Sequence, residues 1–202
     1  MLVRLLIYIK HHFSFLWNLI EWLNAPLFRM LHGSRFNRKV AAALQEYTLP
    51  GFGVRLLESG DLRGLKQLID RQSPGRLTFF KPHGFDEQSL IRTFRNPSFL
   101  MMGVFNGTHM VGYFFLRCFW NKKCFVGRLI DEPFEGKGIG RVMNQIMYNI
   151  GWKMNFRVLS TISKNNHWVM KSHAGNASMV IRKELANDYL LVEFVRPAQS
   201  LQ

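Results

Sequence analysis

The chain has 202 residues, of which 48% are hydrophobic, enough for one domain of ordinary size with a real core, plus a short appendage. Twenty-seven Lys and Arg against 13 Asp and Glu leave a net charge of +14. This argues against strongly cationic substrates such as polyamines and points to an anionic partner: nucleic acid, an acidic membrane surface or a phosphorylated ligand. The two cysteines, Cys118 and Cys124, are too few for a zinc site and read as reduced thiols of a cytosolic protein, flanking a hairpin.

Residues 1–24 form an amphipathic pattern. Arg4, His11 and Asn18 follow one line at helical spacing, with Lys10, Ser14 and Glu21 beside it, and Leu, Ile, Phe and Trp fill the rest of the surface. Pro26 is expected to end this helix. The uncharged run 13–20 is far short of the ~20 residues a membrane span needs. No small-residue cleavage site follows to make it a signal peptide. Two readings stay open. The helix lies on an anionic membrane surface, helped by Arg29, Arg35, Arg38 and Lys39, or it packs on protein. Residues 1–50 are therefore set apart as a helical extension, with the globular domain at 51–202.

After Pro50-Gly51, residues 52–58 read as a strand, and Asp61 opens a helix carrying Leu62, Leu65, Leu68 and Ile69. Ser73-Pro-Gly is a breaker. A loop holding His83 leads to a helix over 87–95, capped by Asp86. Strands follow at 99–105, 110–119 and 125–130, with Asn106-Gly107 as a hairpin turn. A glycine loop leads into a helix over 139–154. Then come a strand at 156–163, a short helix from Asn165 or Asn166 to about His173, and strands at 179–183 and 189–195. The order from residue 52 is β-α-α-β-β-β-α-β-α-β-β, an α/β (α+β) fold with mixed strand directions.

The stretch 131–141, Asp-Glu-Pro-Phe-Glu-Gly-Lys-Gly-Ile-Gly-Arg, sits between a strand and a helix. Main-chain N–H groups converge in such a loop, the helix dipole adds partial positive charge, and glycine admits a phosphate close to the backbone. A dinucleotide fingerprint would want glycine at 141, where Arg141 stands, and a P-loop would want Ser or Thr after Lys137, where Gly138 stands.

Residues 134–141 resemble the acyl-CoA-binding loop of the GNAT N-acetyltransferase superfamily. That pattern is Gln or Arg, two residues, Gly, one residue, then Gly or Ala. Gly138 and Gly140 match it, while Glu135 occupies the Gln/Arg place. The element order is similar over roughly 52–195. The resemblance implies a mixed, mostly antiparallel sheet of about seven strands flanked by helices, with acetyl-CoA or another acyl-CoA as co-substrate. The acceptor it implies is a small or lipid-linked primary amine. The protein is expected in the cytoplasm, and at the inner face of a membrane if the helix of residues 1–24 adheres there.

The resemblance also implies site residues. The cofactor diphosphate sits on the amides of Gly136, Lys137, Gly138, Ile139, Gly140 and Arg141, and a main-chain N–H at Leu129 or Ile130 polarises the thioester carbonyl. Asn165 and Asn166 reach the pantetheine arm or cap their helix. A general base comes from His83, Asp131 or Glu132. The tyrosine that protonates the leaving thiolate in many members has no counterpart at 165–174, where Ser172 and His173 stand nearest. No metal is expected. The rival readings are a non-catalytic acyl-CoA-binding protein and a nucleic-acid-binding protein, the latter weakened because the basic residues are spread along the chain without a recognised motif.

Overall fold

A computed structural model describes residues 14–197, with side chains from Leu23 onward. Helix α1, Ser14–Glu46, precedes β1, Gly53–Leu56. Three helices follow: α2, Leu62–Asp70; α3, Pro74–Leu77; and α4, Glu87–Phe94. Strands β2, Phe99–Asn106, β3, His109–Cys118, and β4, Lys123–Ile130, form a meander. Then come α5, Ile139–Lys153; β5, Arg157–Ser163; α6, His167–His173; β6, Met179–Glu184; and β7, Tyr189–Phe194. The seven strands form one sheet in the order β1-β2-β3-β4-β5-β7-β6. The expected fold class is what the chain adopts. The Ser73-Pro-Gly breaker differs in detail: with Pro at the first position it starts the single turn of α3, where a missing N–H costs nothing.

The central strands are apolar on both faces because helices cover both. From β3, Phe114 and Leu116 join the core shared with α1 and α5, while Tyr113 and Phe115 join a second core with Leu65, Leu68 and Leu90 of α2 and α4. Every neighbouring strand pair is antiparallel except β4 and β5. These two pair only at Lys123–Arg157, Cys124–Val158 and Phe125–Leu159. Beyond that point β4 continues on β3 as far as Ile130, and β5 continues on β7 as far as Ser163. The sheet therefore splits into a wedge-shaped slot.

Helix α1 does not stop at Pro26 but runs through it. A proline inside a helix costs about 3 kcal/mol, and the packing around it outweighs that cost. Phe28, Phe36, Val40 and Ala43 are buried in the α5-side core, and Phe28 meets Phe36 edge-on at 5.2 Å and Phe156 at 6.3 Å. Two residues before the proline, buried Asn24 donates to Ser98 Oγ at 3.0 Å and Cys118 O at 2.9 Å, and accepts from Trp120 N–H at 3.0 Å. Arg29, Arg35 and Arg38 face outward. The membrane-facing reading falls on residues 1–24, of which all side chains before Leu23 lie outside the described residues. Among the described residues no helix is long and apolar enough to cross a membrane. Asn24→Ala is expected to destabilise the protein by about 2 kcal/mol, because it orphans the Cys118 carbonyl and the Trp120 amide. A shift of the urea midpoint at constant slope checks this.

Candidate active site

The hydrogen-bond alternation of β4 determines what faces the slot. Asp131 N–H bonds to Val111 O at 2.9 Å, and Phe119 N–H bonds to Lys123 O at 2.8 Å. The register between β3 and β4 runs without a bulge. Odd-numbered β4 residues thus exchange bonds with β3, and even-numbered ones turn their N–H and C=O toward the slot. The Leu129 amide faces β3, and the Ile130 amide faces the slot.

The glycine loop lies at the slot's mouth. Gly136 and Gly138 have φ of +75° and +82°, a left-handed conformation that side chains disfavour. Gly138 is the N-cap of α5. Among the described residues no backbone acceptor takes the N–H groups of Gly136, Lys137, Gly138, Ile139 or Gly140. Five amides at the positive end of a 15-residue helix suit an anion. Gly140 is glycine for a different reason: an added Cβ would lie 2.5 Å from Arg128 Nη1. Lys137 Nζ rests over the Phe134 ring at 4.5 Å, and Arg141 is exposed. Glu135 turns away from the loop and pairs with Arg76 of α3, whose Nη2 also donates to Ile130 O at 3.0 Å. This removes a carboxylate from the anion site.

A polar cluster missed in the sequence lies between α5 and α6. Arg128 of β4 donates from Nε to Asn144 Oδ1 at 3.0 Å and from Nη2 to Ser172 Oγ at 3.3 Å. Burial pulls its guanidinium below its ordinary range. Tyr148 of α5 is buried and stacked on Phe194 at 4.3 Å between ring centroids. Burial raises its pKa strongly, against the nearby Arg128 charge, which lowers it. His173 is buried too, its Nδ1 3.2 Å from Asn176 Nδ2. Burial, then the Arg128 charge, push it down to about 4, so it is a neutral imidazole at pH 7. The available signals were an Arg within the apolar run 124–130 and a tyrosine on the buried face of α5.

The remaining candidates sit as follows. Asn166 Oδ1 accepts from Val169 N–H at 3.2 Å as the cap of α6, and Asn165 is exposed. On the opposite face of the sheet, His83 shares Nδ1 with Gly84 O at 2.8 Å, which fixes the proton there, and Nε2 accepts from Tyr113 O–H at 2.9 Å. Burial lowers its pKa, so the neutral ring holds both bonds. Asp131 is also buried. Its Oδ2 accepts from Arg71 Nε at 3.2 Å and Nη2 at 3.0 Å, and its Oδ1 from Gln72 Nε2 at 3.0 Å. Glu132, in the short 3-10 turn after it, is exposed and makes no ion pair among the described residues. Among the described residues no group of His, Cys, Asp and Glu could hold a metal ion.

No family model and no curated protein matches this sequence. Solved structures do match its fold. The GNAT domain of S. lividans PAT is 12% identical, with 70% of this chain and 88% of that one covered and a TM-score of 0.61. The paia N-acetyltransferase of Thermoplasma acidophilum, solved in complex with coenzyme A, is 14% identical over 72% and 99% of the two chains, with a TM-score of 0.60. The ribosomal-protein-S5-alanine acetyltransferase of Vibrio fischeri is 17% identical over 75% and 96%, with a TM-score of 0.57. The chain has the fold of the GNAT N-acetyltransferase superfamily.

Proposed function

We propose that the protein transfers an acetyl or other acyl group from acyl-CoA to a primary amine. The observation that carries this reading is the pairing of a split between two parallel strands with a loop of uncommitted amides at its mouth. The loop amides of residues 136–140 receive the diphosphate. The pantetheine arm runs down the slot, and Ile130 N–H donates to the thioester carbonyl oxygen, stabilising the charge that builds there during attack.

The amine nitrogen attacks the carbonyl carbon, the C–S bond breaks, and the departing thiolate accepts a hydrogen bond from Tyr148 O–H. The amine proton goes to Glu132. The occupied oxygens of Asp131 and the occupied ring nitrogens of His83 favour this assignment over those two. We assign Asp131 to hold the end of β4 and His83 to hold the 78–85 loop against Tyr113. The acceptor is an amine on a neutral or anionic molecule, which the net charge of +14 attracts and a polyamine would not meet.

Calorimetric titration with acetyl-CoA tests the reading. A Kd on the order of micromolar is expected, and absence of binding overturns it. Glu132→Gln is expected to lower kcat/KM for an accepted amine roughly 100-fold while leaving acetyl-CoA binding unchanged. A full-rate variant moves the base elsewhere.

A further inference from the structure

We propose that Arg128 is the cation that grips the cofactor's diphosphate, and that its bond to Ser172 is a bar across the slot which the diphosphate releases. This rests on the acyl-CoA reading above.

Three observations converge on Arg128. First, among the described residues it is a charge without a paired countercharge. The guanidinium is half-buried, and its hydrogen-bond partners, Asn144 and Ser172, are neutral. The nearby carboxylate, Glu135, is bound to Arg76. A buried cation is costly unless paired. Second, it stands beside another positive source. Nη1 packs against Gly140 in the first turn of α5, close enough that a Cβ there would collide with Nη1 at 2.5 Å and Cζ at 3.0 Å. The helix's positive pole and the guanidinium therefore look into the same space, an arrangement that an anion converts from repulsive to favourable. Third, the hold on α6 is weak. The Arg128–Ser172 bond is 3.3 Å long and Ser172 is exposed.

The bond to Ser172 ties β4 to α6 across the space between α5 and α6. An arriving diphosphate offers the guanidinium two charged acceptors in a forked geometry in place of one hydroxyl. Arg128 then turns from α6 toward the loop, and α6 is freed to accommodate the pantetheine arm. The same residue thus bars the slot until the diphosphate arrives and secures the cofactor afterwards.

The test compares two ligands, acetyl-CoA and S-acetylpantetheine, which lacks the diphosphate. Arg128→Gln is expected to weaken acetyl-CoA binding roughly 10- to 100-fold and, with the bar gone, to leave S-acetylpantetheine binding as tight as in the wild type or tighter. Inorganic pyrophosphate should compete with acetyl-CoA on the wild-type protein and lose most of that competition on Arg128→Gln. Arg128→Lys, which keeps the charge without the fork, should fall between the two, and it carries the test if the Gln variant does not fold. Equal losses for both ligands, no loss for acetyl-CoA, or wild-type protein indifferent to pyrophosphate would overturn the proposal. Wild-type protein that binds neither thioester overturns the acyltransferase reading itself, an outcome separate from wild-type binding that Arg128→Gln leaves intact.

Discussion

Tyr148→Phe is expected to lower kcat about 100-fold, the scale of losing one donor at an atom where charge develops, while the Kd for acetyl-CoA stays within about threefold. The ring stays. Stacking on Phe194 at 4.3 Å between centroids and the tilted contact with Trp152 at 5.7 Å do not involve the hydroxyl. What is lost is an O–H at the level where β4 and β5 part. Gly151, one turn along α5, already meets Val158 and Cys124 of the paired segment. The loss should fall on kcat, because the bond strengthens only as sulfur gains charge. The raised pKa of Tyr148 makes it a hydrogen-bond donor to the thiolate rather than a full proton donor, so kcat should show no alkaline limb from this group near neutrality. Steady-state kinetics with thiol release as the readout checks both points. An unchanged kcat would move the sulfur elsewhere.

The second large effect is on stability. His173 is held near pKa 4 in the folded chain against an ordinary 6.5. Above about pH 6.5 both folded and unfolded chains carry it neutral, and its full contribution is present. As pH falls from about 6.5 to 4 the unfolded chain binds a proton that the folded chain resists, so stability falls. Below about 4 both are protonated and the loss is complete. The total is about 3 kcal/mol. His83 shifts in the same direction, and paired carboxylates such as Asp61 and Glu193 add their own losses at lower pH. The measurement is therefore a difference: urea unfolding of wild type and His173→Gln between pH 7 and 4. The variant should lose about 3 kcal/mol less over that range. Parallel curves would show that the imidazole is solvated enough to titrate normally.

The sequence made the strand–loop–helix unit readable because its signals are local. Glycines at 136, 138 and 140 punctuate it, and Val142, Met143, Ile146, Met147 and Ile150 repeat at helical spacing on the buried side of α5. The short element boundaries and the seven strands were legible for the same reason. What was not legible depends on distance along the chain. Arg128 meets Asn144 16 residues later and Ser172 44 residues later, and no pattern in the strand announces those partners. The direction of Glu135 hangs on Arg76, 59 residues earlier. Asp131 reads as a candidate general base until Arg71 and Gln72 close on it. Pro26 misled for a related reason: the local rule against proline in a helix is sound, but Asn24 and Phe28 anchor the segment to β-strands about 74 to 128 positions away.

The short seam between β4 and β5 has a mechanical consequence. Three residue pairs join the block β1–β4 to the block β5–β7 within the sheet, and α5 packs against both. Such a joint is where local opening, at a lower free energy than that of the whole chain, is expected. A ligand lodged in the wedge touches both blocks at once and acts as a rivet. Part of its binding energy is spent on fusing two units into one, so occupancy by a thioester is felt at β6 and β7, strands that the ligand itself never reaches.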